Sequence, residues 1–142
     1  MTEQSNQQNE PAEQAEQATL YEQLGGAEKL RELVDRFYDL MTLEPAFAPL
    51  LQMHPTPLDG SREKLYLFLS GWMGGPGLYM EKYGHPMLRA RHLPFQIGVA
   101  ERNQWLVCMR EAMKDLKLDE KLQDRLLYAF YETADWMRNR EG

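Results

Sequence analysis

A chain of 142 residues falls within the size of one domain, and 43% apolar residues are enough to fill a core. Sixteen Lys and Arg against 22 Asp and Glu give a net charge of −6, which argues against an electrostatic nucleic-acid binder, and no apolar run nears the ~18 residues of a membrane-spanning helix. The single cysteine, Cys108, excludes an internal disulfide and a four-cysteine metal cluster; the polar, acidic start resembles neither a secretory signal nor a basic transit peptide, so a cytoplasmic location is expected.

Residues 1–18 hold Glu3, Glu10, Glu13, Glu16 and five glutamines but no Lys or Arg, so four of the net six negative charges sit there. Lacking aromatic and branched apolar side chains, this stretch cannot bury enough surface to offset its ordering entropy and is expected to be a disordered acidic tail. A domain spanning 19–142 follows. Thr19 and Glu22 have capping-box spacing and start a short helix that Gly25-Gly26 ends. Leu30, Leu33, Val34, Phe37, Tyr38 and Met41 fall on one helical face and predict a helix over 28–41. Pro45, Pro49, Pro55 and Pro57 leave room only for a short helical turn around 46–52. Asp59 is a candidate cap for the helix over 59–73, with the stripe Ser61, Leu65, Phe68, Leu69 and Trp72. Gly74-Gly75-Pro76-Gly77 ends it, and the stretch to Pro86 is expected to be mostly loop with a turn over Leu78–Lys82. A short helix around 87–92 precedes Pro94. Trp105, Cys108, Met109, Ala112, Met113 and Leu116 mark a helix over 99–116, and Leu122, Leu126, Ala129, Phe130, Thr133 and Met137 mark one over 119–138. No alternating pattern appears, so the class is all-α.

Chemistry-bearing motifs are few. The H-E-x-x-H zinc motif, C-x-x-C-H haem attachment, the G-x-S-x-G nucleophile elbow and phosphate-binding glycine loops are absent. Of His54, His85 and His92, the last sits at the end of a short helix between Arg91 and Leu93-Pro94-Phe95. That setting suits an axial haem ligand with Arg91 beside a propionate; it equally suits a structural His that caps its own helix. Tyr38 and Trp105 each join an apolar body to one hydrogen-bond donor, which fits either core packing or a pocket lining.

The run Gly84-His85-Pro86-Met87-Leu88-Arg89-Ala90-Arg91-His92-Leu93-Pro94-Phe95, followed by Trp105-Leu106-Val107-Cys108-Met109, resembles the group II truncated haemoglobins. Phe37-Tyr38 and the double glycines Gly25-Gly26 and Gly74-Gly75 match the same family, and the likeness covers about residues 19–138. It implies a two-over-two helical sandwich, with 28–41 and 59–73 in one layer and 99–116 and 119–138 in the other, around one non-covalent haem b. The segment 75–92 would stand in for a full proximal helix. His92 matches the proximal iron ligand, whereas His85 matches a position outside the iron site. Tyr38 and Trp105 match the distal tyrosine and tryptophan. Ser61 and Leu65 match the distal-helix positions facing the ligand. Arg91, Tyr79 and Lys64 fall where propionate contacts are expected, and Phe68, Leu88, Phe95 and Met109 are expected to line the haem. His54 falls near the corner where relatives carry Phe, Tyr or His; it is either an exposed loop residue or a third donor able to ligate ferric iron.

Function follows from the resemblance in two alternative forms. The first is a haem protein that binds O2, NO, CO or peroxide and carries out NO-dioxygenase or peroxidase-like chemistry with electrons from a reductase. The second is a gas sensor or O2-binding module acting through a partner. No nucleic-acid or membrane partner is expected, and the chain is expected to be a monomer or weak homodimer.

Overall fold

The computed structural model describes residues 18–84 and 99–137. The expected acidic tail up to residue 17, the helix around 87–92 and residues 138–142 lie outside them. Among the described residues every regular element is helical.

The first helix, α1 (Leu20–Leu24), is started by the expected capping box: the Glu22 amide donates to the Thr19 hydroxyl, and the Glu22 carboxylate accepts from the Thr19 amide. Gly25, at φ +118°, ends it in the left-handed conformation that glycine adopts without penalty. The long helix α2 (Ala27–Leu43) follows, and its stripe closes completely. Leu30, Leu33, Val34, Phe37 and Met41 have no exposed surface, and Tyr38 keeps 4%. Each such apolar side chain stabilises the fold by up to about 1.5–3 kcal/mol. A 3₁₀ turn (Pro45–Phe47) and the four-residue α3 (Ala48–Leu51) occupy the proline-fragmented stretch.

The next helix, α4 (Asp59–Trp72), begins differently from the sequence expectation. Its cap residue is Leu58, already in the right-handed helical region, and Asp59 is the first helical residue with no capping bond. Its carboxylate instead sits in the first turn, where the helix dipole favours a negative charge. Beyond Gly74–Gly77 the chain forms α5 (Leu78–Tyr83), a full short helix rather than mostly loop. The glycine density signals a turn correctly, but Tyr79 then finds cover, 8% exposed, against Phe68 of α4. The glycines are required by close approach: a Cβ on Gly75 would fall 2.5 Å from the Tyr21 ring, and one on Gly74, at φ +91°, would strike Thr19. This turn and α1 are stitched together by the Tyr21 amide, which donates to the Met73 carbonyl at 3.0 Å.

The last two helices are α6 (Val99–Asp115) and α7 (Glu120–Met137). Asp119 caps α7 by accepting from the Leu122 amide at 3.2 Å. Helix α2 packs on α4 within one layer and on α6 across to the other, where α7 lies beside α6. Cys108, Met109, Ala112 and Met113 of α6 and Leu126 of α7 are fully covered, which puts the core between the layers.

Candidate functional site

Successive residues of α2 aim two aromatic rings into the core. Phe37 meets Tyr38 edge-on at 5.1 Å and Trp105 of α6 at 5.2 Å, so one buried phenylalanine carries both polar aromatics. The sequence singled out Tyr38 and Trp105 from separate stripes; the interlayer packing brings them together. Trp105 is half-buried, unlike Tyr38. Burial pushes the Tyr38 hydroxyl well above its ordinary pKa, against an opposing pull from the Arg62 cation and with a smaller push from Cys108. Tyr38 therefore stays a neutral O–H donor across the physiological range.

His54 follows α3 and is half-buried, not an exposed loop residue. Its ring stands perpendicular to Tyr38 at 5.6 Å. Nδ1 lies 3.0 Å from the Leu50 carbonyl, which only accepts, so Nδ1 carries the proton. In that tautomer Nε2 of the neutral ring is an acceptor, the form in which imidazole ligates metals. Donation from Nε2 requires the doubly protonated ring.

On α4 the expected stripe divides in two. Leu69 joins the core at 2% exposed, whereas Ser61, Leu65, Phe68 and Trp72 stay half-buried. Lys64 is exposed, with its ammonium 5.8 Å from the Tyr83 ring. Tyr79 packs perpendicular to Phe68 at 6.3 Å. Met109 is fully enclosed in the protein core. His92, Leu88, Arg91, Phe95 and His85 lie outside the described residues.

Two features escaped the sequence reading. Arg62 of α4 reaches across to α2, donating to Asp39 at 2.7 Å and to the Asp35 carboxylate and carbonyl at 3.3 and 3.1 Å, with its guanidinium 5.7 Å from the Tyr38 ring. Its signal was Asp35 and Asp39 one turn apart on the polar side of α2, a pair of acids that invites a base from a neighbouring helix. The second is Phe130 of α7, which meets Trp105 at 5.2 Å and stacks on Trp72 at 4.8 Å with planes 7° apart. Nothing in the linear spacing relates these three rings.

This arrangement fits a haem better than a bare metal ion. Among the described residues no three His, Cys, Asp or Glu side chains gather as a metal site. A porphyrin brings four nitrogen donors of its own and asks the protein for one strong axial ligand and an apolar slot. The half-covered apolar stripe of α4 is of the kind that would wall such a slot, and Tyr38 and Trp105, joined through Phe37, are neutral donors.

Comparison with known proteins gives the same class. The family model for bacterial-like globins matches residues 19–139. Group 2 truncated hemoglobin YjbI of Bacillus subtilis is 40% identical over 115 residues, spanning 81% of this chain and 85% of that protein. Among solved structures, the group II 2-on-2 hemoglobin of Agrobacterium tumefaciens superposes with a TM-score of 0.82 at 43% identity, covering 89% of this chain and 98% of that one. A truncated oxygen-avid haemoglobin from Bacillus subtilis superposes with a TM-score of 0.77 at 39% identity, covering 86% and 100%. The fold is thus a two-over-two globin, a class that holds haem and binds diatomic gases such as O2. Within it, this chain belongs to the bacterial-like globin family as a group II truncated haemoglobin.

Proposed function

We propose that this chain holds one non-covalent haem b through His92 and binds O2 tightly beneath Tyr38 and Trp105, in support of redox chemistry toward NO, peroxide or peroxynitrite. The carrying observation is the Tyr38–Phe37–Trp105 cluster, with a Tyr38 hydroxyl that burial keeps protonated. The oxygen-avid relative in Bacillus subtilis supports tight binding. Bound haem supplies an iron that takes a diatomic gas and changes oxidation state. Leu65 and Phe68 of α4 would lie against the ring, Ser61 would face the ligand side, and Arg91, Lys64 and Tyr79 would stand near the propionates. Leu88 and Phe95 would complete the apolar lining, with Met109 behind it in the core.

The protein's part is preorganised donation. Tyr38 O–H and Trp105 N–H would offer hydrogen bonds to a ligand that carries partial negative charge, held in advance by the rings packed around them. Each bond contributes about 0.5–1.5 kcal/mol, and more toward a charged partner. Two such donors would slow release by about one to two orders of magnitude, since ~1.4 kcal/mol is a factor of ten. Slow release is poor for transport and suits reaction at the bound ligand, with electrons from an external reductase. His54, with Nδ1–H engaged on Leu50, would be a candidate ligand of ferric iron through Nε2, and a third donor to the gas ligand only with its ring doubly protonated. A buried, reduced Cys108 accords with a cytoplasmic setting, and a monomer or weak homodimer suffices for the chemistry.

The test is stopped-flow O2 dissociation from the ferrous protein. Trp105→Phe should release O2 at least several-fold faster; an unchanged rate removes Trp105 from the donor set. In parallel, His92→Ala should lose stable haem, and normal retention there would move the axial ligand elsewhere.

A further inference from the structure

Charge is divided unevenly along the chain. Residues 64–100 carry Lys64, Lys82, Arg89 and Arg91 against one acid, Glu81, a net +3, so the remaining residues carry −9. An acidic protein thus keeps one basic stretch, and that stretch contains His92, the proposed iron ligand.

The described part of this stretch presents a surface on α5. Met80 and Tyr83, three residues apart and so on one side of the helix, are 53% and 40% exposed. The Tyr83 ring rests on Tyr79 at 4.9 Å. Two ammonium groups flank it, Lys82 at 5.5 Å and Lys64 at 5.8 Å from its centre. Among the described residues neither lysine is paired with an acid, whereas Lys29, Arg31, Arg36 and Arg62 each meet one at 2.7–3.4 Å. Glu81, exposed on the same helix, offsets one of the two charges. Exposed apolar groups rimmed by unpaired charge have the make-up of a protein-docking patch.

We propose that the α5 face around Met80, Lys82 and Tyr83 docks the protein that supplies electrons to this chain, a small one-electron carrier with an acidic face. This deepens the haem reading and rests on it. A carrier has to approach the edge of the cofactor, and Tyr83 leans on Tyr79, which meets Phe68 at 6.3 Å, the pair that reading assigns to the haem. The charge division orients the encounter: the basic stretch attracts an acidic partner while the rest of the molecule repels it, which raises the rate of productive collision more than it tightens the complex. A broad anionic surface such as a membrane fits less well, because it also meets the −9 carried elsewhere. The reduced carrier loses one electron and the ferric form gains it; no covalent bond forms or breaks.

The experiment titrates an oxidised, acidic [2Fe–2S] ferredoxin of the plant type into nitrogen-15-labelled, CO-bound ferrous protein at low salt, followed by amide NMR shifts. Saturable shifts centred on Met80, Lys82 and Tyr83 are expected, and high salt should weaken the binding. Lys82→Glu should bind about five-fold more weakly or worse. Lys121→Glu, the same charge change at an exposed position of α7, should stay within about two-fold of the parent. The CO spectrum of each variant reports that it has folded. In the ferric protein, Lys82→Glu should also slow reduction by photoreduced ferredoxin, but not by photoreduced lumiflavin, a small neutral donor. The absence of saturable binding, equal binding by Lys82→Glu and the parent, or an equal loss in Lys121→Glu overturns the proposal. Saturation by phosphatidylserine vesicles but not by ferredoxin overturns it in favour of a membrane surface. Failure to form a CO complex, read before any ferredoxin is added, contradicts the haem reading itself, and the docking proposal falls with it.

Discussion

Helices α2 and α4 carry apolar stripes of similar length and the same spacing, yet the fold treats them oppositely. Every member of the α2 stripe from Leu30 to Met41 is buried by neighbouring protein. On α4 only Leu69 is; Ser61, Leu65, Phe68 and Trp72 are left half-covered. A half-covered stripe of large apolar side chains is what a protein leaves for a partner or cofactor that completes the surface. The contrast separates a helix that holds the fold together from one that presents a wall.

Substitutions on the two stripes should therefore fail in different ways. The largest effect expected is from Phe37→Ala, which removes a fully buried ring touching both Tyr38 and Trp105. It should cost about 3–5 kcal/mol in urea unfolding of the haem-loaded protein. Leu65→Ala should cost less than half as much in the same assay. Its main effect should instead be faster haem transfer to an acceptor apoglobin. Equal stability losses at the two positions would erase the distinction between the stripes.

Arg62 sharpens the comparison, because it ties the wall to the scaffold. Arg62→Ala should destabilise by about 1 kcal/mol, the scale of a charge-assisted, partly exposed pair. Freeing α4 in this way should also loosen haem binding, so the transfer assay is the second readout.

The smallest effect concerns Cys108, whose thiol donates to the Phe37 carbonyl at 3.3 Å between the layers. Burial pushes it from the ordinary 9.0 up to about 12, with a smaller push from Glu111. The folded state thus favours the neutral thiol. That contribution is fully present below about pH 9 and is lost as pH rises toward 12; Tyr38, raised in the same sense, adds to the alkaline loss above its ordinary 10.0. Melting temperature should fall between pH 9 and 10.5, less steeply in Cys108→Ala than in the parent. Parallel slopes would remove Cys108 as a contributor.

Much of this was legible in the sequence where local pattern and tertiary fate coincide. The capping box at Thr19 and the stripes of α2 and α6 are visible because a helix that buries one face must show period 3.6. The expectation over 28–41 misses the extent of α2 by only one or two residues at each end. Asp59 misled because an acidic residue near a helix start serves equally as cap or first-turn charge, and Leu58 had already entered helical geometry. Helix α5 was hidden by the glycines before it, since the cover of Tyr79 comes from Phe68, on the helix before that turn. The Arg62 pairs span 23 and 27 residues and are fixed only when α2 and α4 meet. His54 joined Tyr38 for a similar reason: four prolines blur its register, and only the folded corner places the two rings at right angles.

The central claim is that the wall of α4 receives a haem whose gas ligand meets Tyr38 and Trp105. One optical titration tests it: haem added to purified protein, with ferric, dithionite-reduced and CO-bound spectra recorded. The account predicts a one-to-one complex and a CO adduct typical of histidine-ligated iron. A low-spin ferric form would additionally point to His54 Nε2 as the sixth ligand. Failure to bind haem stoichiometrically would contradict the account, leaving the half-covered stripe of α4 without its occupant.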